Sequence, residues 1–155
     1  MKNYIIKKIN SKKLCISVIG LGYVGLPLSL LISKKDRVIG IDIDKKKINF
    51  LNSNKSYIER IENKKVYNFN KKNIFSADFS KIFESDFIII CVPTPLKKDQ
   101  SPDLSFIKNA VLKIKPYLKK GQTIILESTS YPGTTYDHIV QILNKDFIVG
   151  KEIFV

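Results

Sequence analysis

The stretch Leu14-Cys-Ile-Ser-Val-Ile-Gly-Leu-Gly-Tyr-Val-Gly-Leu-Pro27 decides the fold of this chain. A short run rich in β-branched residues leads into the pattern Gly20-x-Gly22-x-x-Gly25, and a mostly apolar segment follows it. This order predicts a strand, a tight turn and a helix. In such a unit the first glycine lets the chain reverse, the second lets a pyrophosphate approach the backbone, and the third lets the helix pack closely on the strand. The stretch therefore predicts a dinucleotide-binding unit.

An acidic residue follows the glycine turn at a suitable distance. Asp42 ends a second apolar run, about 20 residues after the turn, where dinucleotide-binding folds place the acid that accepts hydrogen bonds from the adenosine ribose. An acid there favours NAD over NADP, because it would repel a 2′-phosphate. Asp44 is the competing acid, but its place before Lys45 predicts a helix N-cap. The alternative interpretation is a structural βαβ unit whose acids only cap the next helix.

Composition restricts the class of protein. The 155 residues suffice for one domain with a hydrophobic core, and no apolar run approaches the roughly 20 residues of a membrane span. The net charge of +13 comes from scattered lysines without arginine clusters or interleaved aromatic residues, so we expect no nucleic-acid partner. We also expect no membrane partner. Cys15 and Cys91 fall in predicted buried strands without metal-ligand spacing. We therefore expect no metal site, two free thiols and a cytoplasmic location.

Alternating strands and helices predict an α/β fold, a doubly wound parallel sheet of the Rossmann type with strand order 3-2-1-4-5-6. Residues 1–13 are expected to be a polar lead-in and 14–155 a single domain. The predicted strands are 14–19, 37–42, 73–77, 87–92, 122–127 and 148–155. The predicted helices are 23–34, 45–53, 80–84, 104–118 and 134–143, with one or two short helices left open within 57–72. The predicted buried stripe of the helix 104–118 consists of Phe106, Ile107, Ala110, Val111 and Ile114.

Three loops at the carboxyl ends of the predicted strands carry further motifs. They are Gly20-Leu-Gly-Tyr-Val-Gly-Leu-Pro27, Cys91-Val-Pro-Thr-Pro95 and Glu127-Ser-Thr-Ser-Tyr-Pro-Gly-Thr-Thr135. Together, over about residues 14–155, they resemble the UDP-glucose/GDP-mannose dehydrogenase family, in particular its UDP-N-acetylglucosamine and UDP-N-acetylmannosamine 6-dehydrogenases of bacterial surface polysaccharide synthesis. The resemblance implies the NAD-binding domain of a homo-oligomeric enzyme. That enzyme would oxidise the C6 alcohol of a UDP-N-acetylhexosamine to the uronic acid in two NAD-dependent steps.

The resemblance also implies roles for individual residues. The glycine turn would hold the pyrophosphate, Asp42 and Lys47 would lie at the adenosine, and Thr129 would be catalytic by orienting a water. Residues 57–60 would reach the nucleotide-sugar site of the full enzyme. The residues implied in cofactor binding are Gly20, Leu21, Gly22, Tyr23, Val24, Gly25, Asp42, Lys47, Val92, Pro93, Thr94, Pro95, Ser128 and Thr129. In the alternative interpretation the threonines satisfy backbone groups of tight turns and Lys47 is a solvated helix lysine.

Members of this family continue past the equivalent of residues 151–155. They add a Ser-Pro-Glu-Arg loop, a helical middle domain and a second Rossmann-like domain that carries the nucleophilic cysteine. The middle and C-terminal domains are absent from these 155 residues, so we expect the chain alone to be catalytically incomplete. Two alternatives stay open: a free-standing NAD-binding module without catalysis, and a fragment of a hydroxyacid or phosphogluconate type of dehydrogenase. The motif at 127–135 argues against the second.

Overall fold

The computed structural model describes residues 14–155 together with residues 6, 9 and 10, so the predicted lead-in lies almost wholly outside the described residues. A five-stranded parallel sheet in the order β3-β2-β1-β4-β5 forms the centre. The predicted α/β fold and the order 3-2-1-4-5 are therefore confirmed. The strands are β1 (Cys15–Ile19), β2 (Arg37–Ile41), β3 (Ile74–Ser76), β4 (Phe87–Ile90) and β5 (Thr123–Leu126).

Helices cover both faces of the sheet. The α-helices are α1 (Gly25–Ile32), α2 (Lys45–Asn52), α3 (Asn63–Asn70), α4 (Ser105–Ile114) and α5 (Gln141–Leu143). Two 3₁₀ segments (Phe79–Glu84 and Lys115–Tyr117) and a π-helical segment (Tyr136–Val140) complete the elements. Successive residues of β4 point to opposite faces: Ile88 and Ile90 pack with α4 and α5, whereas Ile89 packs with α1, α2 and α3. Both faces of this strand are thus buried, which explains its uninterrupted apolar sequence.

The structure shows only a single bridge to β5 where the sixth strand is predicted. Phe154 makes one isolated parallel bridge with Thr123, and its backbone exchanges hydrogen bonds with Gln122 and Ile124 at 3.0 and 2.8 Å. Gly150 has a φ of +87° and the chain turns through residues 150–152, so most of the predicted segment is not extended. The pairing is therefore confined to the residues around Phe154.

The helix predicted over 104–118 is shorter than expected. Its α-helical part ends at Ile114, and a 3₁₀ turn containing Pro116 follows. Proline has no N–H to donate to the helix ladder, which accounts for the change. The helix predicted over 134–143 is also irregular, because five of its residues are π-helical. Within the described part of the chain, no helix is both long and apolar enough to span a membrane.

A buried glutamine joins two elements on the amino side of the sheet. The Gln122 side chain donates to the carbonyl oxygens of Ile82 and Ser85 at 2.9 and 2.8 Å and accepts from the Lys119 N–H at 2.8 Å. Its side chain is 1% exposed. This side chain therefore provides hydrogen-bond partners for backbone groups where the 3₁₀ segment 79–84 meets the start of β5.

Candidate functional site

A cavity of about 1010 Å³ opens at the carboxyl ends of β1, β2, β4 and β5. The three loops that carry the sequence motifs meet there. The predicted site residues that line it are Gly20, Gly22, Tyr23, Val24, Asp42, Lys47, Val92, Pro93, Thr94, Ser128 and Thr129. The structure therefore brings most of the predicted site together in one place.

Three predicted site residues do not line the cavity. Leu21 is fully buried, and its side chain belongs to the core. Gly25 is the first residue of α1, and a Cβ atom there would lie 1.8 Å from the carbonyl oxygen of Gly20. Pro95 accepts a hydrogen bond from the Asp103 N–H at 2.7 Å. These three residues belong to the loops around the cavity without lining it.

The glycine turn leaves room for a ligand beside its backbone. A Cβ atom built on Gly22 would meet no atom within 4 Å, although Gly22 lies on the cavity wall. Behind the turn, α1 begins at Gly25 and presents its N-terminal end. A helix N-terminus carries free N–H groups and a partial positive charge. An open backbone surface next to such an end fits the diphosphate of a dinucleotide.

Asp42 is the buried acid at the end of β2. It is 6% exposed, and its Oδ2 atom accepts from the Leu21 N–H at 2.8 Å while Oδ1 accepts from the Asp44 N–H at 2.9 Å. The Lys47 Nζ atom lies 3.6 Å from Oδ2. A carboxylate has about four lone-pair positions, so acceptor capacity remains for hydroxyl groups in the cavity.

The competing acid has the role that the sequence predicts. The Asp44 Oδ1 atom accepts from the Lys46 N–H at 2.8 Å and the Lys47 N–H at 3.4 Å. Asp44 therefore caps α2, as predicted, and this cap holds the helix on which Lys47 stands. The two acids are separated by one residue, and each accepts hydrogen bonds from a different pair of backbone N–H groups.

One wall of the cavity was not predictable from the sequence. Phe106 is 40% exposed and lines the cavity, so its predicted place in the buried stripe of α4 is wrong. Together with Asn109, Ala110 and Lys113 it forms a second stripe, at helical spacing, beside the buried one. The Lys113 Nζ atom lies 5.4 Å from the ring centroid of Phe79, which also lines the cavity. The missed lining residues are Ile19, Ile43, Asp44, Phe79, Cys91, Phe106, Asn109, Ala110, Leu112, Lys113 and Glu127.

The loop after β4 begins with a buried cysteine, Cys91, which is one of the residues at the cavity wall. Strand β4 ends at Ile90 rather than at the predicted residue 92, so Cys91 follows the strand. Burial raises the pKa of the Cys91 thiol to about 11, and the negative charge of Glu127 adds to the rise. The thiol is therefore protonated at neutral pH and is a poor nucleophile.

A serine hydroxyl joins the loops after β4 and β5. The Ser128 Oγ atom donates to the carbonyl oxygen of Val92 at 2.7 Å. Thr129 is exposed at the cavity, and its hydroxyl makes no hydrogen bond with any residue that the structure describes. Ser128 thus fixes the position of the loop, while Thr129 presents a free hydroxyl. In the described ranges, no three His, Cys, Asp or Glu side chains are grouped so as to hold a metal ion.

The family comparison matches this geometry. Residues 14–152 match the model of the UDP-glucose/GDP-mannose dehydrogenase family, NAD binding domain. The UDP-N-acetyl-D-mannosamine dehydrogenase of Yersinia pestis is 40% identical over 121 residues, which are 77% of this chain and 29% of that protein. The UDP-N-acetyl-D-glucosamine 6-dehydrogenase of Salmonella typhi is 37% identical over an alignment of 147 residues that covers 87% of this chain and 33% of that protein.

Solved structures show the same likeness. The UDP-N-acetyl-mannosamine dehydrogenase Cap5O of Staphylococcus aureus superimposes with a TM-score of 0.83 at 35% identity, covering 90% of this chain and 34% of that one. The chain thus spans about a third of the length of the relatives it matches. With its glycine turn, buried acid and strand-end cavity, this chain belongs to the UDP-glucose/GDP-mannose dehydrogenase family and corresponds to the NAD-binding domain of that family.

Proposed function

We propose that this chain holds NAD in the strand-end cavity as the cofactor platform of a nucleotide-sugar 6-dehydrogenase. The observation that carries the proposal is the meeting of the open Gly22 backbone and the buried Asp42 carboxylate at one cavity. A phosphate group needs N–H donors and close approach, whereas a ribose needs a carboxylate acceptor. The cavity offers both on neighbouring strand ends.

Each part of the cavity has a proposed role in holding the cofactor. Gly22 and the N-terminal end of α1 bind the diphosphate, and Asp42 accepts from the adenosine ribose hydroxyls and repels a 2′-phosphate. Lys47 partly compensates the charge of Asp42 at 3.6 Å. Bound NAD supplies the hydride acceptor for oxidation of an alcohol. The residues proposed for the adenosine and ribose side are Val92, Pro93, Thr94 and Pro95, and those for the nicotinamide side are Ser128 and Thr129.

The proposed substrate of the full enzyme is a UDP-N-acetylhexosamine. Its C6 alcohol would be oxidised to the uronic acid in two NAD-dependent steps, for surface polysaccharide synthesis, by a homo-oligomer in the cytoplasm without nucleic-acid or membrane partners. The names of relatives that are 37–40% identical support the substrate class. The free, buried thiols of Cys15 and Cys91 are compatible with a reducing compartment. We also propose that the segment around Phe154 begins the sixth strand of the sheet.

We propose that these 155 residues alone do not turn over substrate. Cys91 is a protonated, buried thiol, and Cys15 lies inside β1 with its pKa also raised by burial. Neither thiol is suited to attack an aldehyde. The chain therefore provides a cofactor platform, and Thr129 would orient a water that another segment activates.

Calorimetric titration at moderate salt tests cofactor binding. The wild type should bind NAD and should bind NADP poorly, and Asp42→Ala should weaken NAD binding. Asp44→Asn is the matched control, because asparagine also caps helices well. Since Asp42 also holds backbone groups, circular dichroism must show that Asp42→Ala is folded. A folded wild type that fails to bind NAD would refute the proposal.

A second experiment separates the enzyme from a free-standing module. Absorbance at 340 nm should show no NADH when the chain is mixed with NAD and UDP-N-acetylglucosamine or UDP-N-acetylmannosamine. NADH formation would contradict catalytic incompleteness. The coding region after codon 155 should encode a Ser-Pro-Glu-Arg loop and a later cysteine, whereas a stop codon in an intact gene would favour a non-catalytic NAD-binding module.

A further inference from the structure

Tyr57 reaches the glycine turn from the segment between α2 and α3. Its hydroxyl donates a hydrogen bond to the carbonyl oxygen of Leu21, 36 residues away in the sequence. The ring is half-buried and packs against the core on the side of α1, α2 and α3. Tyr57 is not among the residues that line the cavity. It therefore contacts the turn from the side away from the cavity.

Residue Leu21 is held at three points. Its N–H donates to Asp42 at 2.8 Å, its carbonyl accepts from Tyr57, and its side chain is 0% exposed. The Lys47 Nζ atom lies 3.6 Å from the Asp42 carboxylate and 5.8 Å from the Tyr57 ring centroid. Lys47 therefore contacts both of the groups that hold the Leu21 backbone.

The peptide that links Leu21 to Gly22 transmits this restraint. In a trans peptide the C=O and the next N–H lie in one plane and point in opposite directions, and the described chain contains no cis peptide bond. A carbonyl fixed toward Tyr57 thus directs the Gly22 N–H toward the opposite, cavity side. That N–H donates to no residue that the structure describes, and Gly22 lines the cavity.

We propose that Tyr57 is a positioning residue for cofactor binding: its hydroxyl sets the plane of the Leu21–Gly22 peptide and thereby presents the Gly22 N–H to the diphosphate of NAD. The inference rests on the proposed placement of NAD in this cavity. Without the hydroxyl, the carbonyl loses its partner and the peptide plane gains freedom to rotate. A hydrogen-bond donor whose orientation is fixed before binding gives a higher affinity, because less conformational entropy is lost when the ligand binds.

The test uses Tyr57→Phe, which removes only the hydroxyl. Tyr67→Phe is the matched control, because Tyr67 lies on α3, is 50% exposed and forms only a ring contact with Lys71 among the described residues. Titrations with NAD, ADP and adenosine separate the phosphate-binding role from a general loss of structure. We expect NAD and ADP to bind about three- to tenfold more weakly to Tyr57→Phe, as for the loss of one hydrogen bond. Adenosine binding, and all binding to Tyr67→Phe, should be unchanged.

A spectroscopic measurement examines the peptide directly in the free protein. With ¹⁵N-glycine labelling, the Gly22 amide signal is assigned by its loss in Gly22→Ala. The chemical shift of this signal should change in Tyr57→Phe and remain unchanged in Tyr67→Phe. A second hydroxyl-free variant, Tyr57→Met, should show the same ratio of ADP affinity to adenosine affinity as Tyr57→Phe.

The outcomes distinguish the two proposals. A wild type that binds NAD, together with a Tyr57→Phe variant that binds ADP normally or loses ADP and adenosine equally, would overturn the role of Tyr57 alone. An unmoved Gly22 signal would overturn it as well. A folded wild type that binds no NAD would refute the proposed function, and the role of Tyr57 in cofactor binding would fall with it.

Discussion

Two glycines of the same turn should respond in opposite ways to the same substitution. Gly22 faces open space, and its φ is not in the left-handed region. Gly25 is confined, because an added Cβ atom would lie 1.8 Å from the Gly20 carbonyl oxygen, whereas an ordinary contact is 3.4 Å or more. The overlap of Gly25→Ala is with backbone, so no side-chain rotation relieves it. We predict that Gly25→Ala impairs folding and Gly22→Ala impairs binding.

The expected magnitudes follow from these contacts. Gly25→Ala should lower the free energy of unfolding by about 3 kcal/mol, the upper end of the usual cost of overpacking. Gly22→Ala should leave stability unchanged or raise it by up to about 1 kcal/mol, because alanine restricts the unfolded chain. Its methyl group would occupy the space proposed for the diphosphate. Loss of a charge-assisted hydrogen bond there costs about 1.5–3 kcal/mol, or roughly ten- to hundredfold in NAD affinity.

Urea unfolding and calorimetric titration with NAD measure the two effects separately. For Gly25→Ala the urea midpoint should fall by on the order of 1 M, while the midpoint of Gly22→Ala should not fall. Gly150→Ala is a control for backbone strain, since Gly150 also has open space but a φ of +87°. Gly150→Ala should lower the free energy of unfolding by about 1–2 kcal/mol without changing NAD affinity. A Gly22→Ala protein that binds NAD like the wild type would refute the reasoning.

Three further predictions concern the walls of the cavity. Asp42→Asn should cost about 1–3 kcal/mol in urea unfolding and also weaken NAD binding, because one backbone N–H then faces an amide NH₂; an unchanged midpoint in Asp42→Asn would contradict this, and Asp44→Asn should retain its helix cap and its midpoint. Cys91 should resist iodoacetamide at pH 8, because a pKa raised to about 11 leaves roughly one thiolate in a thousand; mass spectrometry showing alkylation of Cys91 as fast as in the unfolded chain would contradict this. Phe106→Ala should weaken NAD binding with little loss of stability, whereas the neighbouring Ile107→Ala should cost about 2–5 kcal/mol on unfolding and leave binding unchanged in the folded fraction.

Local chemistry explains what the sequence could predict. β4 was recognisable because a strand buried on both faces must be continuously apolar. The Asp44 cap was recognisable because a short acid before a run of helical residues satisfies nearby N–H groups. The glycine turn and Asp42 have a fixed spacing, so their meeting at one strand-end site was predictable from the chain, and the family resemblance implied further residues up to half of the cavity lining. These features depend on neighbours in sequence or on a general topology.

Contacts between distant segments account for what the sequence missed. The bond from Tyr57 to Leu21 and the bonds from Gln122 to Ile82 and Ser85 join residues far apart in the chain, and no local pattern predicts them. Phe106 was assigned to the core because periodicity identifies an apolar stripe but does not reveal an empty cavity beside it. A sixth strand was predicted over residues 148–155, but the chain turns at Gly150 and only the backbone near Phe154 pairs with β5.

The carboxylate of Asp42 accepts hydrogen bonds from two backbone N–H groups of the protein itself. The acid thus stabilises the fold in addition to its proposed contact with the ribose, and selection for folding alone would preserve it. A descendant of this domain that had lost its cofactor would keep the acid while Lys47 and Thr129 drifted. For the same reason, conversion of the domain to NADP by replacing the acid would first loosen the turn that is proposed to hold the phosphates. A change of cofactor preference is better sought in side chains around Asp42 than at Asp42 itself.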